Sequence, residues 1–335
     1  MSARRIAYLS FTERGAALAE QLRAALGGTA SCTRRIEGFS LPQWTAEAFG
    51  AFDALVFVGA VGIAVRAVAP FLKSKARDPA VVAVDECGRF AVPVVSGHLG
   101  GANDLAREIA AICGAVAVIT TATDANGLFA VDEWAKHQNC AVTDPHGIKA
   151  VSARILAGET VRVRSEWTVE GECPVGVALT DGPDWDVWVD VRRHEGGLCL
   201  TPKALVLGVG CRRGTPREVL ETAFRELCEE QNLWPEAVCG AATIDLKAEE
   251  AGLLDFCAAH GWPLTCYSAE ELRRAEGTFT PSAFVEQTTG VDNVCERSAV
   301  LAGGGVLLTG KHAGNGVAMA LAWRPFRLDW RWKDG

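Results

Sequence analysis

The chain predicts an α/β protein with three parts: an N-terminal doubly wound α/β domain, a small β-rich middle module and a C-terminal α/β domain of three layers. Three observations predict it. In both end regions, apolar runs of strand length alternate with longer segments of helical spacing, the order that builds parallel sheets covered by helices. Between about Gly147 and Pro202 that alternation gives way to short β-rich pieces set apart by Gly, Pro and Asp. Finally, 335 residues is too much chain for one module of about 150. The expected parts are residues 1–146, 147–203 and 204–335.

In chain order, Arg5 to Ser10 reads as a strand, and Glu13 to Leu26 as a helix because Ala16, Leu18, Ala19, Leu22 and Leu26 share a face. Ala54 to Val58, Ala80 to Val84 and Phe90 to Val95 read as strands, Ala102 to Cys113 as a helix and Ala115 to Ile119 as a further strand. In the middle, Val161 to Val163, Val175 to Leu179 and Trp185 to Val191 are short strand candidates. The alternation restarts with strand Ala204 to Val209, helix Pro216 to Glu230, a strand near Ala242 to Ile244 and helix Ala248 to His260. Helix Asp292 to Ala302 and strands Val306 to Leu308 and Gly316 to Ala322 follow. The Trp- and Arg-rich tail, Trp323 to Trp332, is expected to pack on its own domain.

Composition limits the partners. With 49% hydrophobic and 22% charged residues, the chain buries real cores. Its net charge of −8 speaks against a general nucleic-acid or anionic-membrane surface, though not against a local basic pocket. The longest apolar stretch, Ala54 to Val65, is broken by glycines and falls short of the about twenty residues of a bilayer crossing. The start of the chain lacks a small-residue cleavage site, so a cytoplasmic protein is expected. Twelve cysteines lie scattered without a CxxC pair, and neither His137 with Cys140 nor Cys257 with His260 has a second pair at finger spacing. Reduced thiols and no protein metal site are therefore expected.

Six segments could carry chemistry. Gly59 to Arg66 runs from a strand through a Gly turn into a helix, where free N–H groups and Arg66 could face an anion, or simply pack. Ser96-Gly97-His98-Leu99-Gly100-Gly101-Ala102-Asn103 puts a titratable imidazole among glycines at a strand's carboxyl end, where ligand crevices of open sheets lie. Ser96 is not in a GxSxG elbow. Ile119 to Asp124 offers hydroxyls and a carboxylate that suit either a polar ligand or an ordinary cap. Leu207 to Gly214 includes Gly208, Gly210, Arg212 and Arg213; its third glycine comes one place late for a dinucleotide fingerprint, and its arginines suit carboxylates or phosphates. Lys247, beside Asp245 and Glu250, is either ion-paired or a cation or amine facing a crevice, and Asp292 to Arg297 opens a helix on an Asp cap that could complete the crevice.

Taken in order, Gly62 to Arg66, Asp78-Pro79-Ala80-Val81 with Asp85-Glu86, Ser96 to Asn103, Ile119 to Asp124, Cys211-Arg212, Ile244 to Lys247 and Gly290 to Glu296 resemble the CbiG family of cobalamin biosynthesis proteins, the cobalt-precorrin-5A hydrolases of the anaerobic pathway. Thr243 and Ser298 depart from that pattern, where Ser and Ala are familiar.

The resemblance implies a hydrolase that opens the δ-lactone of a ring-contracted cobalt-corrinoid and releases a two-carbon unit as acetaldehyde, giving cobalt-precorrin-5B. Cobalt would come with the substrate, so no cofactor is expected. A macrocycle bearing many carboxylates calls for a local basic cleft, which Arg66, Arg212, Arg213 and Lys247 could supply between the domains. His98 is the expected general base, with N–H groups of Gly100 and Gly101, or Asn103, as the oxyanion site. Asp124 or Lys247 would serve the later carbon–carbon cleavage, and Ser96, Gly97, Gly210 and Glu296 are the remaining expected substrate contacts. The other pathway enzymes are candidate partners. A non-catalytic corrinoid carrier and a dinucleotide-dependent oxidoreductase are the competing readings.

Overall fold

The structure is a computed structural model that describes residues 4–74, 77–98 and 100–331. It divides into two compact units, residues 1–133 and 134–335, each taken by itself below. Leu99 of the glycine loop and Trp332 of the tail lie outside the described residues.

In the first unit the order is β1 (Ile6–Ser10), α1 (Glu13–Leu26), β2 (Thr29–Cys32), α2 (Leu41–Ala51), β3 (Ala54–Val58), α3 (Val61–Val68), β4 (Ala80–Val84), β5 (Phe90–Val95), α4 (Ala102–Cys113), β6 (Val116–Ala117) and α5 (Ala122–Ala125), with α6 (Val131–His137) beginning at its end. The six strands form one sheet, β2-β1-β3-β4-β5-β6. Strands β1, β3 and β4 are buried along their whole length because both faces are covered. Alternate residues serve opposite layers: Ile6, Tyr8, Val56, Val58 and Val82 pack with Leu22, Leu105 and Ile109, while Ala7, Leu9, Leu55, Phe57 and Val81 pack with Ala48, Ala64 and Val68.

The expectation of a parallel sheet holds for every pairing in this unit but one. Strand β5 runs antiparallel to β4. Residues 85–89 are too few for a crossover, and the Asp85 carboxylate ties them into a hairpin by accepting from the N–H groups of Cys87, Arg89 and Phe90 at 3.0, 2.8 and 2.7 Å. The expected strand Ala115 to Ile119 shrinks to β6.

In the second unit, β7 (Cys140–Val142), α7 (Pro145–Leu156), β8 (Val161–Ser165), β9 (Val169–Glu170), β10 (Val177–Leu179), β11 (Val187–Val189) and β12 (Leu198–Pro202) come first. They give a five-stranded sheet, β10-β8-β11-β12-β7, that takes in β7 from upstream of Gly147. Helix α7 escaped the sequence reading although its signals are present. The Asp144 carboxylate accepts from the His146 N–H at 2.9 Å, Pro145 opens the helix, and Val151 and Ile155 are buried one turn apart.

The rest of this unit is β13 (Leu205–Cys211), α8 (Arg217–Glu230), β14 (Val238–Ile244), α9 (Ala251–His260), β15 (Leu264–Tyr267), α10 (Ala269–Arg273), α11 (Ala283–Thr289), α12 (Cys295–Gly303), β16 (Val306–Leu307), β17 (His312–Gly314), β18 (Val317–Trp323) and β19 (Leu328–Asp329). Its sheet runs β15-β14-β13-β18-β16, with β17 also on β18, which is antiparallel to its neighbours. Leu205, Leu207 and Val209 pack with Leu220, Phe224, Leu253 and Phe256 of α8 and α9 on one face. Helix α12 takes the other. It lies so close that a Cβ on Gly208 would sit 1.8 Å from the Cys295 carbonyl oxygen, so that glycine serves helix–sheet packing and not a pyrophosphate. The hydroxyls at the two departures are internal: Thr243 donates to the Val209 carbonyl at 2.7 Å and Ser298 to that of Ala242 at 3.2 Å.

The tail does not stay on the C-terminal sheet. Strand β19 pairs in parallel with β9, and Trp330 stacks on Trp134 at 5.0 Å. Among the described residues, no helix is long and apolar enough to cross a membrane.

Candidate active site

Two places gather the expected residues, one in each unit. In the first, the chain leaves β5 through a loop folded tightly on itself. Ser96 is left-handed (φ 57°), and its Oγ donates to the Asp78 carbonyl at 2.9 Å. The N–H groups of Gly101, Ala102 and Asn103 donate to the carbonyls of His98, Ser96 and Gly97 at 2.9, 3.1 and 2.9 Å. A Cβ on Gly100 would lie 2.2 Å from Ser96 Cβ, and one on Gly97 2.9 Å from Asn103 Oδ1. These glycines therefore exist so that the loop can close under His98.

That closure corrects several expectations. The Gly101 N–H is spent on the His98 carbonyl, and the Asn103 amide donates to Thr121 Oγ1 and Asp124 Oδ2, both at 3.2 Å, so neither is an oxyanion donor. Ser96 Oγ is likewise spent, on the Asp78 carbonyl, while Gly97 and Gly100 leave the space in which the loop closes. Arg66 is exposed and stands in the last turn of α3, not at its start, outside the contacts of the His98 group.

His98 is held on both nitrogens. Nδ1 meets Asp132 Oδ2 at 3.0 Å, and Nε2 meets Asp124 Oδ2 at 2.8 Å, with Glu133 Oε1 at 3.5 Å. Arg107, one turn beyond Asn103 on α4, reaches Asp124 Oδ1 at 2.7 Å and Asp104 Oδ1 at 3.0 Å. Thr121 also donates to Asp124. Burial opposes the charge on His98, but the Asp132 hydrogen bond and charge, then Asp124 and Glu133, win and push its pKa up to about 9. At neutral pH it is an imidazolium, a proton donor; the expected general base would need its partners rearranged. Burial likewise works against ionised Asp124, yet Thr121, His98 and Arg107 hold it below the usual carboxylate range. Burial raises Glu133, which is 1% exposed.

Asp132, Glu133 and Arg107 were missed in the sequence. Asp132 and Glu133 form the acidic first turn of α6, a helix absent from the sequence reading. The acidic pair beyond the Thr-Asp segment was the available signal, but only folding brings Asp132 to His98 across 34 positions.

In the second unit, the loop after β13, the turn after β14, α11, the start of α12 and the hairpin before β18 enclose a cleft of about 820 Å³. Gly210, Arg212, Arg213, Lys247 and Lys311 line it, with Leu246 and Phe284 on its walls at 64% and 69% exposure. Arg212 lies over Gly316, whose φ of 79° needs glycine, and its N–H donates to the Gly316 carbonyl at 3.0 Å. Lys247 pairs with Glu250 at 2.9 Å, the ion-paired alternative of the two that the sequence offered. The Glu250 carboxylate also accepts from the Gly214 N–H.

Glu296 is not a substrate contact. It is 2% exposed, and its oxygens accept from the backbone N–H of Thr280 (2.6 Å) and Lys311 (2.7 Å) and from the Asn293 amide (2.6 Å). Asp292 is not the cap of α12 either: it pairs with Arg297 at 2.9 Å, while Asn293 Oδ1 accepts from the Glu296 N–H at 2.8 Å.

An acid–imidazole group and a cation-rimmed apolar cleft, each at strand ends of an α/β sheet, define an enzyme-like protein for a large anionic small molecule. The comparisons narrow that class. The chain matches the families described as Cobalamin synthesis G N-terminal over residues 43–124, Cobalamin biosynthesis central region over 129–205 and Cobalamin synthesis G C-terminus over 205–322. It is 36% identical over 341 residues to a cobalt-precorrin-5A hydrolase of Salmonella typhimurium, covering 94% of this chain and 97% of the relative. A cobalt-precorrin-5A hydrolase of Priestia megaterium is 33% identical, with 83% of this chain and 80% of the relative covered. A solved cobalamin biosynthesis protein G homolog from Sulfolobus solfataricus aligns over 96% of this chain and 98% of its own at 22% identity, with a TM-score of 0.41. The chain belongs to the CbiG family.

Proposed function

We infer that this chain is a cobalt-precorrin-5A hydrolase, which opens the δ-lactone of its corrinoid substrate and releases acetaldehyde to give cobalt-precorrin-5B. The structural observation that carries the reading is the cleft of about 820 Å³, large for a small protein ligand and rimmed by Arg212, Arg213, Lys247 and Lys311 over apolar walls. A flat macrocycle fringed with carboxylates presents the matching surface: apolar faces for Leu246 and Phe284, anionic edges for the guanidinium and ammonium groups. Cobalt enters as part of the substrate. Cytoplasmic operation follows from the same reading, since the substrate is a biosynthetic intermediate.

Lactone opening adds water oxygen to the carbonyl, breaks the acyl–oxygen bond and leaves an alkoxide that must take a proton. Of the described residues, His98 suits that last task, because Asp124 and Asp132 hold it as an imidazolium with Nε2 in a fixed direction. Once it has given up its proton, the neutral imidazole can take one from the freed alcohol; as the oxygen forms the aldehyde C=O, the carbon–carbon bond to the two-carbon unit breaks and its electron pair passes into the conjugated ring of the cobalt-corrinoid. Arg107 orients Asp124 in this scheme and touches no substrate. The roles given to Lys247 and the arginines are electrostatic.

The purified chain incubated with cobalt-precorrin-5A tests the reading. Acetaldehyde should accumulate with time to one per corrinoid, with product mass falling accordingly. Stoichiometric corrinoid binding without acetaldehyde would replace the hydrolase by a carrier.

A further inference from the structure

We propose that His98, Asp124 and Glu133 form a divalent-cation site, with Asp132 as the outer carboxylate that fixes the imidazole. This runs against the expectation of no protein metal, which weighed only cysteine and histidine spacings. It goes beyond the hydrolase reading: an ion and the Nε2 proton compete for one nitrogen, so the loaded site is a state apart from the proton-donating one.

The carrying observation is Glu133. It is 1% exposed, it points at His98 Nε2, and among the described residues neither of its oxygens accepts a hydrogen bond. A buried carboxyl without a donor is costly unless something cationic meets it. The proton on the imidazole accounts for Asp124 and Asp132, and Arg107 for the second oxygen of Asp124 and for Asp104. Both cations stand off Glu133, His98 Nε2 at 3.5 Å and Arg107 at 3.9 Å, and among the described residues neither gives it a hydrogen bond.

The geometry suits an ion. One ligand atom from each of His98, Asp124 and Glu133 lies within 4.8 Å of the others. Around a cation that holds its ligands at about 2.1 Å, tetrahedral neighbours sit about 3.4 Å apart. His98 Nε2 is 2.8 Å from Asp124 Oδ2 and 3.5 Å from Glu133 Oε1. The remaining nitrogen, Nδ1, rests on Asp132 at 3.0 Å, the carboxylate–histidine arrangement that orients metal-bound imidazoles. One nitrogen and two carboxylate oxygens favour a first-row cation such as Mn²⁺ or Zn²⁺ over Mg²⁺. Three protein ligands leave a fourth position for water.

Mn²⁺ is the probe of choice, because the twelve cysteines would compete for Zn²⁺. Chelator-treated full-length protein, without corrinoid, is titrated while free Mn²⁺ is read by electron paramagnetic resonance. One saturable ion per chain is expected. Glu133→Gln should weaken it at least tenfold, and Asp132→Asn, which removes no ligand, by about ten- to a hundredfold. Circular dichroism monitors each fold, and if Glu133→Gln does not fold, Asp132→Asn still decides. No saturable site up to about 1 mM free ion, or one that the folded variants leave unchanged, overturns the proposal. The titration reads the ion alone, without corrinoid, so failure here is distinct from failure of the hydrolase reading.

Discussion

The His98 group and the cationic cleft handle charge in opposite ways. Around His98, all but Glu133 of the charges are matched against each other: Asp132, His98, Asp124, Arg107 and Asp104 form a chain of contacts between 2.7 and 3.0 Å. In the cleft, cations line an open space beside exposed apolar side chains, and Glu250 is the partner of Lys247. A pre-paired group cannot gain much by binding a polyanion, but it holds a proton in a set place. A cation-lined cleft has charge to offer a ligand and no fixed path for a proton. The difference supports the proposed roles, proton transfer for the first and recognition for the second.

Variants can break that division. The largest effect is expected in the His98 group: His98→Gln and Asp124→Asn should each lower turnover by about two to four orders of magnitude, with the corrinoid dissociation constant, read from its visible spectrum, within a few-fold of the parent. In the cleft, Arg212→Ala should act on affinity instead. Loss of one charge-assisted contact of about 1.5–3 kcal/mol weakens binding roughly ten- to a hundredfold, and raising salt should weaken the parent as well. Equal losses of affinity in both sets would merge the two sites into one role.

Stability separates them further. Gly100→Ala places a methyl 2.2 Å from Ser96 Cβ, and denaturant unfolding should show a loss of about 1–3 kcal/mol as the loop under His98 opens. Gly210→Ala, whose Cβ has nothing nearer than 3.8 Å, should unfold like the parent. The smallest effect concerns pH. Because His98 binds its proton more tightly folded than unfolded, its pairing stabilises the chelator-treated fold fully below about pH 6.5 and fades as pH rises through about 9. The stability gap between the parent and His98→Gln, measured by urea unfolding, should therefore shrink across that window; a constant or widening gap would refute the pairing.

Much of the fold was legible. Strands β3, β4 and β5 and helices α1 and α4 fall where apolar runs and helical spacing put them, because each buries a continuous face. The hairpin after β4 was legible but not drawn: five residues between the two expected strands are too few for a parallel return, and the Asp85 carboxylate only fixes the turn through three backbone N–H groups. At the site, His98 and Asp124 stood out as a titratable ring in a glycine loop and an acid at a strand end. Ser96, Gly101 and Asn103 looked like donors to a ligand but spend their polar atoms on the loop and on Asp124, and Glu296 spends its own inside the fold. Sequence records which groups exist; only the closed structure shows which are already used.

The division of labour is tested most directly by acetaldehyde release at saturating cobalt-precorrin-5A, with Arg212→Ala and His98→Gln compared side by side. Arg212→Ala should regain a rate close to the parent's once saturated, whereas His98→Gln should remain at least about a hundredfold slower at any concentration. A slow Arg212→Ala at saturation, or a His98→Gln protein that substrate restores, would contradict the account.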